Sequence, residues 1–340
     1  MSIIKIQQIS KRYRSVQIRW DDPDVYKAFL AMKTADSVTV DPHKMGYVPY
    51  PAGIVAFKNR LVTEFTRQRA QYISDVRELV ERLDERTPIA DIGPYILEGS
   101  KPGSAAASCW LAHTTIPLTV DGHGAIVRAS LLSAKKLTRY LHFHKHLFAE
   151  MDREFASDAL PCRPFTFRTL FEPDTNVVCF VVVPTEIRGG AMMPVPTELS
   201  TLNDVNRSLY GRLSIQSTQL KGHLPYVQPF YVSRTRIESD QYSTESVRHI
   251  LDWLAVAPED YERHGLFVLR STVMNPLYGE AERQGYDYLY KFVGYLHAQA
   301  RIVLAEVYGP PMVSAHPDDL PSGTPAREGR SRRLGREPNQ

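Results

Sequence analysis

The segment Ala35-Asp36-Ser37-Val38-Thr39-Val40-Asp41-Pro42-His43-Lys44-Met45-Gly46-Tyr47-Val48-Pro49-Tyr50-Pro51-Ala52-Gly53 carries the strongest signal in this chain. Its first half predicts a short buried strand, and the Asp41-Pro42 pair predicts the break that follows it. A tight loop then presents His43 and Lys44. Because an ammonium group is not a nucleophile, a reactive lysine in this loop must either be desolvated or be held as an imine.

This segment resembles the cofactor-lysine motif of group II pyridoxal-phosphate-dependent amino-acid decarboxylases. The continuation Gly46-Tyr47-Val48-Pro49-Tyr50 is similar to the tyrosine-decarboxylase-like branch of that family, whereas a His-Lys pair alone would be a weak motif. Two later segments also resemble the family, namely 95–110, with its Glu-Gly-Ser-Lys sequence, and 269–276. The similarity runs from about Trp20 to about Gly309 and covers the C-terminal portion of the family's chain.

The resemblance implies an α/β fold, the PLP-dependent transferase fold (fold type I), with a truncated large domain and a C-terminal α+β small domain. Residues 1–123 would be a remnant of the large cofactor-binding domain that carries the lysine. Residues 124–309 would form the small domain. Residues 310–340 are rich in proline and contain no aromatic residue, so we expect a disordered tail.

The resemblance also implies a function and an alternative to it. The function is decarboxylation of a tyrosine-like aromatic L-amino acid to its amine and carbon dioxide by a homodimer that uses pyridoxal 5'-phosphate. Family members place an aspartate that pairs with the pyridinium nitrogen upstream of the lysine. Here Asp21, Asp22 and Asp24 lie in a polar turn instead. The alternative is a truncated, catalytically incompetent protein, or one half of a split enzyme that needs a separate N-terminal chain.

Two residues of the loop segment and one beyond it are expected to bind the cofactor or to catalyse. Lys44 would hold pyridoxal 5'-phosphate, and His43 would lie beside its phosphate or make only a local hydrogen bond. Tyr72 is in the family's position for a mobile-loop tyrosine. It would return a proton to the α-carbon after carbon dioxide leaves, or it is a surface tyrosine in a basic segment.

Two further residues are expected to contact the substrate. Tyr50 faces the substrate side chain in the resembling branch, although Pro-Tyr-Pro also suits a rigid turn with a packed ring. Thr272 occupies a position near the substrate ring in that branch, although the interpretation as an ordinary strand threonine is slightly favoured. His142 and His146 would share one helix face, but no third ligand follows at a diagnostic spacing, so no metal site is expected.

Composition excludes several classes of protein. A net charge of +3 is too small to indicate a nucleic-acid partner, and the basic residues near both ends suit solvated termini better than a polyanion contact. Three widely spaced cysteines form neither a disulfide framework nor a metal motif, which indicates a cytoplasmic protein. No apolar run is long enough to span a membrane, and the N-terminus lacks the layout of a signal peptide.

Hydrophobic periodicity predicts the main elements. The helices are expected at 23–32, 76–83, 104–116, 124–151, 199–213 and 286–308. Strands are expected at 38–40, 53–57, 165–171, 176–183, 227–237 and 266–274, and the third and fourth of these are expected to form an antiparallel pair.

Overall fold

The computed structural model describes residues 2–3, 19–20, 23–59, 62, 102–142, 147, 163–188, 191–195, 197–215 and 228–308. Its strands are β1 (Ser2–Ile3), β2 (Arg19–Trp20), β3 (Ser37–Val40), β4 (Ile54–Phe57), β5 (Phe165–Thr169), β6 (Val177–Arg188), β7 (Ala191–Pro194), β8 (Ser233–Ile237) and β9 (Leu266–Thr272). Its helices are α1 (Pro23–Ala31), α2 (Ser104–Thr115), α3 (His123–His142), α4 (Leu199–Arg212), α5 (Thr244–Leu254), α6 (Pro258–His264), α7 (Tyr278–Arg283) and α8 (Tyr288–Tyr308).

A five-stranded antiparallel sheet organises the C-terminal half. The strand order is β5-β6-β9-β8, and β7 pairs with the far end of β6. Phe165 pairs with Pro184 on one side of β6, and Val177 pairs with Thr272 on the other. The expected antiparallel pair at 165–171 and 176–183 is therefore confirmed. Strand β6 lies inside the sheet, which explains its continuous run of apolar residues.

Both faces of this sheet are covered. Because side chains alternate along a strand, Val178, Phe180 and Val182 enter one hydrophobic cluster, together with residues of α3, α4 and α8. The intervening Cys179 and Val181 enter a second cluster, which α5 and α6 help to form. The result is a mixed helix-and-sheet architecture, as the predicted α/β class requires. The domain division at residue 124 stays a prediction.

The N-terminal described region is a hairpin with an exposed surface. Strands β3 and β4 pair antiparallel, with Val40 opposite Ile54, and the lysine loop connects them. The expectation of a buried strand before Asp41 is wrong, because Val40 is 44% exposed and β4 is exposed throughout. Strand β3 pairs with β4 in this two-stranded sheet, and no residue of either strand is buried.

Helix α2 differs from its expectation in the same way. The alanine-rich sequence predicts a helix that packs tightly, and the helix forms at Ser104–Thr115. None of its residues is buried, and Trp110 is 70% exposed. Ala105, Cys109 and Ala112 are only half-buried, so the described residues cover the helix in part.

Some of the other expected helices form, and others lie outside the described residues. The helices expected at 23–32, 199–213 and 286–308 correspond to α1, α4 and α8. Helix α3 forms to His142, and the end of the helix expected to reach Met151 lies outside the described residues, as do the helix at 76–83, the segment at 95–101 and the tail. Helices α5, α6 and α7 were not predicted. Within the described part of the chain, no helix is both long enough and apolar enough to span a membrane.

Candidate functional site

The loop that carries Lys44 is a compact turn closed by backbone hydrogen bonds. The amide of Lys44 donates to the carbonyl of Asp41 at 3.0 Å, and the amide of Tyr47 donates to the carbonyl of Lys44 at 3.0 Å. Gly46 is required here, because a Cβ at this position would lie 2.3 Å from the carbonyl oxygen of Pro42. Tyr47 ends the turn in the left-handed region, at φ 54°. A tyrosine rarely adopts this conformation, so other contacts must stabilise it.

The amine of Lys44 is paired within its own turn. Its Nζ lies 2.5 Å from Oδ2 of Asp41, and the lysine side chain is 58% exposed. The hydrogen bond to Asp41 raises the pKa of Lys44, while the charge of Arg270 acts in the opposite direction. The pair with Asp41 therefore further favours the protonated amine, whereas reaction with a carbonyl needs the neutral amine. The desolvated lysine considered from sequence is not the state that this structure contains.

His43 is fixed on the inner side of the loop. Its Nδ1 hydrogen-bonds the carbonyl of Ala52, and its ring lies 4.1 Å, centroid to centroid, from the ring of Tyr50. This is the local hydrogen bond that the sequence analysis gave as one of two interpretations of His43. Its position beside a cofactor phosphate stays a prediction. The Tyr50 ring covers His43 and is itself 73% exposed. His43, Lys44 and Tyr50 are therefore brought together as one group.

A cluster of three oxygen atoms connects this loop to the end of β9. The hydroxyl of Tyr47 hydrogen-bonds the carbonyl of Met274 and lies 2.9 Å from Oγ of Ser130, on α3. Ser130 Oγ also donates to the Met274 carbonyl at 3.1 Å. A second contact lies nearby, where Nε2 of His123 donates to the Met45 carbonyl at 2.7 Å. The lysine loop is thus attached to α3 and to the residue two positions after Thr272.

A cavity of about 480 Å³ opens beside the same end of β9. Its polar lining comes from Ser233, Arg270, Ser271 and Thr272. Its aromatic lining is formed by Phe230, Tyr231, Tyr278, Tyr288 and Phe292. Oγ of Ser271 is buried in this wall, and no partner for it lies among the described residues. The cavity suits a small molecule that has an aromatic group and a polar or anionic end.

Arg270 is the lining residue that sequence reasoning missed. Its Nε donates to Oγ of Ser233 at 3.1 Å, so Ser233 orients the guanidinium and leaves its terminal nitrogens for other partners. The signal in the sequence was a cation that directly follows the apolar run Leu266–Leu269 within the strand. Thr272 itself is exposed and lines the cavity, so its interpretation as a substrate contact stays a prediction.

The other candidates lie elsewhere. Tyr72 is outside the described residues. His142 contacts Thr169, with Nε2 2.5 Å from Oγ1, and burial together with the charge of Arg168 lowers its pKa. The described ranges contain no group of three or more His, Cys, Asp or Glu residues arranged to hold a metal ion.

Comparisons with known proteins agree with the sequence resemblance. Residues 145–293 match the family model described as tyrosine decarboxylase, C-terminal. The chain is 32% identical over 267 residues to an L-tyrosine decarboxylase of Levilactobacillus brevis, covering 78% of this chain and 37% of that protein. It is 29% identical over 256 residues to an L-tyrosine decarboxylase of Enterococcus faecium, covering 75% and 36%.

A more distant relative carries a different substrate in its name. The chain is 24% identical over 245 residues to an aspartate 1-decarboxylase of Aliivibrio fischeri, covering 72% of this chain and 34% of that protein. The chain therefore spans about a third of the length of the curated relatives that it matches. The resemblance to the C-terminal portion of a tyrosine decarboxylase is confirmed.

Proposed function

We propose that this chain, whose residues 145–293 match the C-terminal domain of tyrosine decarboxylases, acts in the pyridoxal-phosphate-dependent decarboxylation of a tyrosine-like aromatic L-amino acid. The fold that we propose for the complete enzyme is the PLP-dependent transferase fold, fold type I. One observation carries the proposal. The turn that presents Lys44 is attached through Tyr47 to the end of β9, the strand that supplies Arg270 and Thr272 to the cavity.

The described residues fit the carbonyl-reactive end of the cofactor. Lys44 offers an exposed primary amine in a fixed turn, and His43 lies next to it. Asp41 is the carboxylate in contact with Lys44 and is occupied by the ammonium, so we assign no residue of this chain to the pyridine nitrogen. When bound, the cofactor supplies an electron sink for the negative charge left on the α-carbon as carbon dioxide leaves.

The cavity is proposed to bind the substrate. The guanidinium of Arg270 attracts the carboxylate of an amino acid, because charge-assisted hydrogen bonds from arginine suit a carboxylate. The aromatic wall formed by Phe230, Tyr278 and Tyr288 suits an aromatic side chain by edge and face contacts. Thr272 offers a hydroxyl beside that wall. Tyr50, which is 73% exposed and lies against His43, is proposed as a further contact to the substrate side chain.

Tyr72 is proposed as the residue that returns a proton. A phenol hydroxyl can deliver a proton to the α-carbon and exclude water when its loop closes. The support for this assignment is its position in the sequence relative to Lys44, by resemblance to the family.

The assembly is proposed to be a homodimer. Several large apolar side chains of the N-terminal region are exposed, among them Val55 at 55%, Trp110 at 70% and Leu118 at 66%. Surfaces of this composition are typical of protein interfaces. Light scattering on the purified chain tests this, with a mass of two chains expected; a monomer that dimerises only when a separate polypeptide is added would contradict it.

The activity is tested with the full chain alone and with the full chain joined to the portion of the Levilactobacillus brevis enzyme that it does not match. Each preparation receives pyridoxal phosphate and either L-tyrosine or L-aspartate. We expect the joined protein to release one carbon dioxide per amine and to prefer L-tyrosine. A joined protein that folds and takes up the cofactor but releases no carbon dioxide from either amino acid would refute the proposal.

A further inference from the structure

We infer that Tyr47 is a positioning residue, which sets the place of Lys44 relative to the cavity wall at the end of β9. This inference deepens the proposed function and rests on it. Tyr47 touches neither the amine nor the cavity. It acts through the backbone of the turn, because its amide donates to the carbonyl of Lys44 itself at 3.0 Å.

The backbone of Tyr47 has an unfavourable conformation. Tyr47 has φ 54°, a region in which a tyrosine side chain is unfavourable. A residue keeps this conformation only where surrounding contacts determine it. The contacts here include an edge-to-face contact of the ring with His123, at 6.0 Å between centroids, and those of the hydroxyl, which hydrogen-bonds the Met274 carbonyl and lies 2.9 Å from Ser130 Oγ. The hydrogen bonds of the hydroxyl therefore help to hold the backbone of Tyr47 in its unfavourable conformation.

The cluster of three oxygens consists of Tyr47 Oη, Ser130 Oγ and the Met274 carbonyl oxygen. The two hydroxyl groups bring two hydrogens to these three atoms, so two hydrogen bonds can form at once. Ser130 is fully buried, at 0% exposed, so water does not replace a lost partner easily. Removing either hydroxyl leaves the other oxygens with one hydrogen between them.

The cluster joins the lysine turn to the cavity wall and to α3. Met274 lies two residues after Thr272, the last residue of β9, and four after Arg270, and both Thr272 and Arg270 line the cavity. Ser130 lies on α3, which packs into the first hydrophobic cluster through Ala134 and Leu137. The lysine turn is thus attached to a rigid helix and to the cavity wall at one point. The distance between the amine and an occupant of the cavity depends on that attachment.

Tyr47→Phe and Ser130→Ala each remove one hydroxyl from the cluster, and Tyr242→Phe, at an exposed tyrosine beside α5, is the matched control. The first readout is hydrogen exchange of the amides of Lys44, Tyr47 and Val48. We expect exchange about 2- to 10-fold faster in the two cluster variants and unchanged in the control, the range that the loss of one hydrogen bond produces.

The second readout is the circular dichroism of pyridoxal phosphate bound to the full chain, together with the rate at which borohydride fixes it on Lys44. We expect a weaker signal and slower fixation in both cluster variants, measured at a temperature at which all the variants are folded. If Tyr47→Phe does not fold, Ser130→Ala carries the test, because it removes the same attachment from the other side.

The outcomes separate the two proposals. Loop exchange and Lys44 fixation that are equal in wild type, Tyr47→Phe and Ser130→Ala overturn the positioning role. Wild-type protein that shows no fixation on Lys44 overturns the proposed function, and in that case the exchange readout still decides whether Tyr47 holds the turn.

Discussion

The ammonium of Lys44 lies 2.5 Å from Oδ2 of Asp41, three residues earlier in the same turn. This pair gives the candidate nucleophile a charge and an orientation. It also opposes the chemistry proposed for the lysine, because a paired ammonium must lose both its partner and its proton before it attacks a carbonyl. The pair with Asp41 therefore lowers the neutral fraction of the Lys44 amine.

Asp41→Asn should make Lys44 react faster with pyridoxal phosphate at neutral pH. The hydrogen bond to Asp41 raises the pKa of Lys44, so removing the carboxylate lowers that pKa and increases the neutral fraction at any pH below it. The pH profile of borohydride fixation on Lys44 should move to lower pH. Asp24→Asn, which breaks the similar exposed pair with Lys27, is the control and should leave the profile in place. An unshifted profile in Asp41→Asn would contradict this account of the pair.

Asp287→Ala should destabilise the chain by about 1 to 3 kcal/mol, through a lost helix cap and lost charge-assisted hydrogen bonds. The Asp287 carboxylate accepts from the amides of Leu289 and Tyr290 at the start of α8, from Lys136 Nζ at 2.7 Å and from Tyr140 Oη at 2.6 Å. Urea titration at pH 7 measures the change. Glu280→Ala, which removes an exposed pair with Arg283, should have little effect.

The difference in stability between wild type and Asp287→Ala should depend on pH. Burial raises the pKa of Asp287, but the hydrogen bonds from Lys136 and Tyr140 outweigh it, and the pKa in the folded state lies below the ordinary value. The contribution to stability is thus present above the unfolded pKa of about 3.9 and is lost as pH falls through the folded pKa. The stability gap between wild type and Asp287→Ala should therefore narrow in acid. A gap that is constant with pH would mean that the carboxylate charge contributes nothing.

Arg270→Gln should raise the KM for L-tyrosine in the joined enzyme about 10- to 100-fold, the range expected for losing a hydrogen bond to a charged group. Fixation of pyridoxal phosphate on Lys44 should persist, because Arg270 does not hold the cofactor in this account. Arg234→Gln is the matched control, since Arg234 lies on neighbouring β8 and contacts Tyr210 rather than the cavity. An unchanged KM in Arg270→Gln would remove Arg270 from the substrate site.

Tyr72→Phe should slow decarboxylation by the joined enzyme about 100- to 10,000-fold, the usual range for loss of a general acid. Products of wrong protonation or oxidation should rise, because the α-carbon waits longer for a proton. Product analysis by mass spectrometry measures both effects, and Tyr242→Phe serves as the control. Clean amine at the wild-type rate would show that another group supplies the proton.

The fold of the C-terminal half could be predicted from sequence because its elements carry strong local patterns. The run Val177–Val183 reads as a strand buried on both faces, and β6 is such a strand. The expectation that Val38–Val40 would be buried rested on the same kind of local pattern, and it failed. Apolar residues predict burial only where another layer covers the strand, and no residue of β3 is buried.

The candidate site could be predicted only in part. His43, Lys44 and Tyr50 were found because they lie together in the sequence. The attachment of Tyr47 to Met274 was missed because it joins residues 227 positions apart, and the contact of Arg270 with Ser233 was missed because it joins residues 37 positions apart; neither leaves a local pattern. The pairing of Lys44 with Asp41 was visible as an i, i+3 spacing in a turn, but spacing alone does not show that the two charges meet.

Whether Lys44 is the cofactor lysine can be tested by chemical labelling. Full-length chain is mixed with pyridoxal phosphate, reduced with borohydride, digested and mapped by mass spectrometry, with Lys44→Ala and Lys58→Ala treated in parallel. The account predicts a yellow protein and a single dominant label on Lys44, with both lost in Lys44→Ala and kept in Lys58→Ala. A label spread over surface lysines and unchanged in Lys44→Ala would contradict it.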